Sequence, residues 1–139
     1  MATLKISDLS VGDWVRCRDR IGRIERLEAI RSDERVRVAV ESYLGTMYLF
    51  VGIEDIEPIP ITAKILEKNG FVKKNYDNGK MWDWWWDNVL VRKYADEDIY
   101  RFIVALNSKH YTTTMVVGKH THQLQHALRL AGVDKEINL

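Results

Sequence analysis

The chain has 139 residues and sets 21 Lys and Arg against 20 Asp and Glu, a formal net charge of +1, so no global field draws it onto nucleic acid or an anionic membrane, and binding of that kind needs a local patch. With 46% hydrophobic and 29% charged residues the composition is globular rather than disordered, and the length suits one ordinary domain or two very small ones. The single cysteine, Cys17, excludes an internal disulfide framework.

The first ten residues, MATLKISDLS, lack the basic-then-apolar pattern of a signal peptide, and no apolar run approaches the roughly 18 residues of a membrane span. A soluble, cytoplasmic product is expected. From Val11 to Ile56 the chain reads as short strands closely separated by turns. VGDWVRCR alternates after a Gly-Asp turn, ERVRVAVE sets Val36, Val38 and Val40 on one face with Arg35, Arg37 and Ala39 on the other, and TMYLFV follows a turn at SYLG. A period of two predicts a sheet with one buried face. IGRIERLEAI is ambiguous, because Ile21, Ile24, Leu27 and Ile30 recur every third position, and periodicity alone leaves helix and strand open. Cys17, between Arg16 and Arg18, reads as a small buried filler, since nothing nearby in the sequence activates its thiol.

The only prolines, Pro58 and Pro60, fall in EPIPIT, which reads as a linker and places a boundary between residues 1–57 and 58–139. Thr62 is a candidate cap for the helix AKILEKNG, with Ile65 and Leu66 inward and Asn69-Gly70 as its left-handed exit. Strands are then expected at FVKKNY, KMWDWWWD, VLVRKY, IYRFIVAL and YTTTMVV, with turns at DNGK, ADED and NSKH. Asn78-Gly79 is the strongest hairpin signal, since a type I′ turn needs positive φ at both central residues. A closing helix spans about 121–131, with Leu124, Ala127, Leu128 and Ala131 on one stripe and Gly132 just past its end.

Four of the five tryptophans lie within positions 82–86. On a strand Trp82, Trp84 and Trp86 share one face, expected to be core beneath the helices, while Asp83, Trp85 and Asp87 share the other, expected to face solvent. An exposed Trp85 flanked by Asp83 and Asp87 is a candidate site for a cationic or protein ligand; the carboxylates would repel phosphates. A second candidate is the arginine run Arg16, Arg18, Arg20, Arg23, Arg26, Arg31, Arg35 and Arg37, among which Arg16, Arg18, Arg35 and Arg37 would form the nucleic-acid patch. Asp19, Glu25, Glu28, Asp33 and Glu34 are interleaved with these arginines, as in cross-strand ion pairs on a solvated face. A third candidate is the histidine group His110, His120, His122 and His126: His122 and His126 share a helix face and could bind one metal ion, with His120 just before them as a third ligand. No glutamate base or fourth ligand lies within the helix, so no metal or other cofactor is expected. Nor is an enzyme: Ser7, Ser10, Ser32, Ser42 and Ser108 sit in no nucleophile elbow, and there is no glycine-rich phosphate loop.

The first half resembles an SH3-like barrel of the KOW type in its VGDWV opening, GRI second strand and VRVAV third strand. On that resemblance IGRIERLEAI is a bulged strand. PIPITAKILEKNGF (58–71) and HQLQHALRLAG (122–132) resemble a family of small uncharacterised bacterial and phage proteins: an SH3-like N-terminal barrel, a Pro-Ile-Pro-Leu-Thr linker, a helix ending in Asn-Gly-Phe, a few strands and a closing His-Gln-Leu-Gln helix. Ile61 stands where that family usually has leucine, and the tryptophan run has no counterpart in its pattern. The resemblance implies an α+β fold, a barrel followed by a small antiparallel sheet packed by two short helices, and no activity or catalytic residue. KOW-like barrels often contact RNA, DNA or protein. A non-catalytic protein-interaction module is therefore the expected function, with a nucleic-acid accessory protein as the alternative and a metal-binding protein or enzyme on the histidines as the third.

Overall fold

The computed structural model of the chain describes residues 4–30, 33–105 and 113–139. It is an α+β protein with two antiparallel five-stranded sheets and two helices. Its contacts divide the chain after Ile59 into two compact units.

The first unit runs through a 3₁₀ turn at Ile6–Asp8, β1 (Trp14–Cys17), β2 (Arg20–Ile30), β3 (Asp33–Ser42), β4 (Gly45–Gly52), a second 3₁₀ turn at Ile53–Asp55, and β5 (Ile56–Pro58). The strand order is β4-β3-β2-β1-β5. Alternation does what the sequence predicts on β3, where Val36, Val38 and Val40 are buried. The ambiguous segment is a strand, and its odd spacing has a local cause. Ile24 pairs with Val38 and Arg26 with Arg37, so Glu25 is the extra residue of a bulge. The bulge re-phases the strand: Ile24 and Leu27 both turn inward although three residues apart, while Ile21, on the other phase, is 44% exposed.

All five strands contribute to one cluster of Leu9, Val15, Cys17, Ile24, Val36, Val38, Val40, Val51 and Ile56. A single sheet that packs its inner face against itself has to curl, and Gly22 lies where it does so. A Cβ there would approach the Ala39 carbonyl oxygen to 2.5 Å. The Gly-Asp turn before β1 is held by Asp13, which is fully buried and whose carboxylate accepts a hydrogen bond from Ser10 N–H at 2.7 Å. The sheet is nevertheless open: β5 pairs with β1 and β4 with β3, and no pairing among the described residues joins β4 to β5. The first unit is thus an open, curled sheet with two edges, and strand pairing does not close it into the expected SH3-like barrel.

The second unit holds α1 (Ala63–Lys68), β6 (Val72–Tyr76), β7 (Met81–Trp86), β8 (Val89–Tyr94), β9 (Tyr100–Ala105), β10 (Thr113–Gly118) and α2 (Thr121–Leu130). Its strands form a meander in chain order. Thr62 caps α1 by accepting from Ile65 N–H at 3.2 Å, and Gly70 leaves the helix with φ +87°. Asn78 and Gly79 both have positive φ, within a four-residue loop because Tyr76 pairs with Met81. The NSKH turn and His110 lie outside the described residues.

Helices and sheet share a core of Leu66, Phe71, Trp84, Val89, Val91, Phe102, Leu124, Leu128 and Ile137 with neighbouring apolar residues. The C-terminal tail is fastened by buried amides. Asn69 donates to Asn138 O at 2.7 Å and accepts from Asn138 N–H at 2.7 Å, while the Gln125 side chain accepts from Ile137 N–H at 2.8 Å and donates to Lys135 O at 3.0 Å. The proline segment carries the division between the two units. Pro58 ends β5, Ile59 is buried, Pro60 forms a bridge with His120, and Ile61 N–H donates to Lys119 O at 2.8 Å. Among the described residues no helix is long and apolar enough to cross a membrane.

Candidate functional site

The tryptophan strand meets the expectation on one face and departs from it on the other. Trp84 is 3% exposed, its ring tilted against Tyr100 with centroids 6.1 Å apart, and Trp82 and Trp86 pack beside it on the core. Lys135 lies 4.2 Å over the Trp86 ring, and burial pushes its ammonium pKa down. On the opposite face Asp83, expected in solvent, is 1% exposed. Arg92 grips it bidentately, Nε to Oδ1 at 2.8 Å and Nη2 to Oδ2 at 3.0 Å. That bond raises the Arg92 pKa.

Trp85 is partly buried in the register row Val72–Trp85–Leu90, with Leu90 5% exposed. Its indole Nε1 is enclosed, with no hydrogen-bond partner among the described residues. Asp87 sits apart in the β7–β8 turn with φ +51°. Asp83, Trp85 and Asp87 therefore do not form one exposed constellation: Asp83 is consumed by Arg92, and an alternation argument cannot see that a carboxylate will be buried by a cross-strand arginine.

The outward face of the first sheet is different. The β3–β4 hairpin turns tightly through Tyr43 and Leu44, where Gly45 takes φ +110° and the Ser42 hydroxyl donates to Gly45 O at 2.8 Å. Tyr43 and Leu44 stand 96% and 84% exposed at the tip, and Tyr48 and Phe50 continue the exposed apolar surface along the outward face of β4, while Met47, 37% exposed, lies on the other phase with Leu49 and Val51. Register then lays arginines beside these rings: Arg37 pairs with Phe50, Ala39 with Tyr48, and Arg26 with Arg37.

The Arg37 guanidinium carbon lies 4.3 Å from the Tyr48 ring centroid, that of Arg35 5.6 Å from Phe50, and that of Arg23 5.2 Å from Trp14. Each β3 arginine also has a carboxylate: Arg35 with Asp33 at 3.0 Å, and Arg37 with Glu25 at 3.2 Å. The bulge has a chemical consequence here. It adds Glu25 beside Arg26 and Arg37, two cations that strand register sets directly opposite each other and that would otherwise repel. Arg26, Glu28, Arg37, Tyr48 and Phe50 border a shallow concavity of about 450 Å³.

Of the arginines expected in a nucleic-acid patch, Arg35 and Arg37 share this face. Arg16 is exposed on β1, and Arg18 lies in the β1–β2 turn with φ +57°, paired with Asp55 at 3.6 Å. Arg31 lies outside the described residues. Cys17 is fully buried, and that burial raises its thiol pKa, so it is a core residue.

The histidines stack in series rather than converge. The His120 and His122 rings are 5.8 Å apart and nearly parallel, and His126 meets His122 edge-on at 5.5 Å. No three His, Cys, Asp or Glu side chains among the described residues are placed to hold a metal ion. His122 is 3% exposed within the start of α2, and burial, helped by Lys119, lowers the His120 pKa. Gln123 closes the helix start, accepting from Lys119 N–H at 2.8 Å and His120 N–H at 3.0 Å.

Sequence reasoning passed over Tyr43, Leu44, Tyr48 and Phe50. A signal was present: GTMYLFVG is an eight-residue strand with no charge and no proline, and two of its three outward side chains are aromatic. Comparison with family models, with characterised proteins and with solved structures returned no match.

Proposed function

We propose that this chain is a non-catalytic protein-interaction module, that it belongs to the small bacterial and phage family whose linker and closing-helix motifs it resembles, and that its docking surface is the outward face of β2–β4. The strand order β4-β3-β2-β1-β5, with a 3₁₀ turn leading into β5, supports an SH3-like reading of the first unit in which the sheet stays open. One observation carries the functional reading. Four large apolar side chains, Tyr43 and Leu44 at the tip and Tyr48 and Phe50 on the outward face, stand in solvent on one hairpin, two of them under arginine guanidiniums. Tyr, Phe and Arg are enriched in protein interfaces, and rigid aromatics with stacked arginines are typical of their energetic centres.

Nucleic acid is the second reading, favoured by the interleaving of Arg26 and Arg37 with Tyr48 and Phe50 around the concavity. The carboxylates Glu25, Glu28 and Asp33, each within 3.4 Å of an arginine, weigh against a polyanion. Capture from the native host's extract tests the first reading. A specific protein should be retained by the wild type and lost with Tyr48→Ala plus Phe50→Ala. Salt-sensitive retention on a polyanion column, abolished by Arg35→Glu with Arg37→Glu, would replace it with the second.

A further inference from the structure

We infer that the groove filled by the chain's own residues 133–139 is a peptide-binding site, and that its partner ligand is an extended peptide with a lysine two residues before an aliphatic side chain. The groove lies within the second unit and is separate from the β2–β4 face. After α2 the chain turns at Gly132, φ +75°, and residues 133–139 form neither helix nor strand. Their burial nevertheless alternates as in an extended peptide. Val133, Lys135, Ile137 and Leu139 turn toward the protein, and Asp134, Glu136 and Asn138 turn toward water.

In place of a strand ladder, two side-chain amides hold this segment. Gln125 accepts from Ile137 N–H at 2.8 Å and donates to Lys135 O at 3.0 Å, and Asn69 brackets the N–H and C=O of Asn138, both at 2.7 Å. Each amide satisfies one main-chain donor and one main-chain acceptor, a grip that is indifferent to sequence. Selection comes from two side chains. Ile137, 1% exposed, joins the core of Leu66, Phe71, Leu124 and Leu128. The Lys135 ammonium lies 4.2 Å from the Trp86 ring centroid and 5.9 Å from that of Phe71, a two-ring slot for a cation. The segment in the groove thus displays the chemistry of its ligand.

Asn69 and Gln125 are 9% and 4% exposed only because the segment covers them. With it lifted, their donors and acceptors face an open groove and require another main chain or water. Lifting is local. It breaks the two amide grips and the 3.6 Å pair of Arg129 with Glu136, but no strand ladder, and it hinges at Gly132, where an added Cβ would meet nothing within 4 Å.

Fluorescence anisotropy of labelled peptide VDKEINL, the sequence of residues 133–139, added to the full chain tests this. In the wild type the attached segment competes at high effective concentration, whereas Ile137→Asp frees the groove and should bind the peptide at least about tenfold more tightly. Within the peptide, Lys135→Ala and Ile137→Ala should each weaken that binding by about tenfold, and Glu136→Ala should leave it unchanged. Circular dichroism confirms folding. Should Ile137→Asp not fold, Asn138→Pro, which removes the N–H that Asn69 accepts, takes its place. Hydrogen exchange on the wild type needs no variant: the Ile137 and Asn138 amides should be protected at least about a hundredfold less than those of residues 124–128 in α2. Equal protection overturns the inference, as does a folded, freed chain that ignores the peptide or binds its alanine versions equally well. A wild-type dimer that becomes monomeric on Ile137→Asp would assign the groove to residues 133–139 of a second copy and overturn the partner assignment. None of these outcomes involves Tyr48 or Phe50, so the groove and the β2–β4 face stand or fall separately.

Discussion

The two sheets share a plan, five antiparallel strands that set aromatic rings beside cations, and use it in opposite ways. In the second unit β7 turns Trp82, Trp84 and Trp86 toward a core that α1 and α2 help to fill, and the main arginine contact, Arg92 with Asp83, has a carboxylate only 1% exposed. In the first unit the inner face is satisfied by β-branched residues from all five strands, with no α-helix among its described residues to cover the outer face. Its aromatics Tyr48 and Phe50 are left in water with arginines lying over them. What separates a buried aromatic from an exposed one is whether another layer of the same unit covers that side of the sheet.

Substitution sharpens the contrast. Trp84→Ala removes a ring that is 3% exposed and leaves a cavity, and should lower unfolding free energy by about 3–5 kcal/mol in chemical denaturation. Equal stability of variant and wild type would mean the indole row is not core. Asp83→Ala strands the Arg92 guanidinium on a face where its partner was enclosed. A loss of about 3 kcal/mol is expected, the low end for a broken buried pair, because Arg92 keeps 27% of its side chain in water. Replacing both partners with apolar residues should recover part of it, which a double-mutant cycle would read directly.

Tyr48→Ala belongs to the other class. With half its surface in solvent it should change stability by no more than about 0.5–1 kcal/mol while abolishing capture. A larger loss of stability would make Tyr48 a structural residue and erase the distinction between the sheets.

The tryptophan strand and the β3 valines were legible because each side chain's direction follows from a period of two and each is large or apolar enough to require burial. Asp83 was not, because its burial depends on Arg92 arriving across the ladder from nine residues away, a register that pattern alone does not set. The spacing of Ile21, Ile24, Leu27 and Ile30 left helix and strand open because a bulge mimics a helical period locally; the resemblance pointed to a bulged strand, and pairing with β3 places the extra residue at Glu25. The β4 surface was half legible: its lack of charge is plain in the text, but its place at a sheet edge is not.

Taken alone, the amino-acid order determined the fold class, most strand positions, the cap at Thr62, the left-handed exit at Gly70 and the buried tryptophan face, since these rest on local backbone preference and on apolar area seeking cover. Tertiary structure decided which edge stays unpaired, which carboxylates are consumed by arginines and which rings remain in water. Those outcomes depend on strand neighbours far apart in the chain, and free energies of pairing and desolvation are settled only once the neighbours meet.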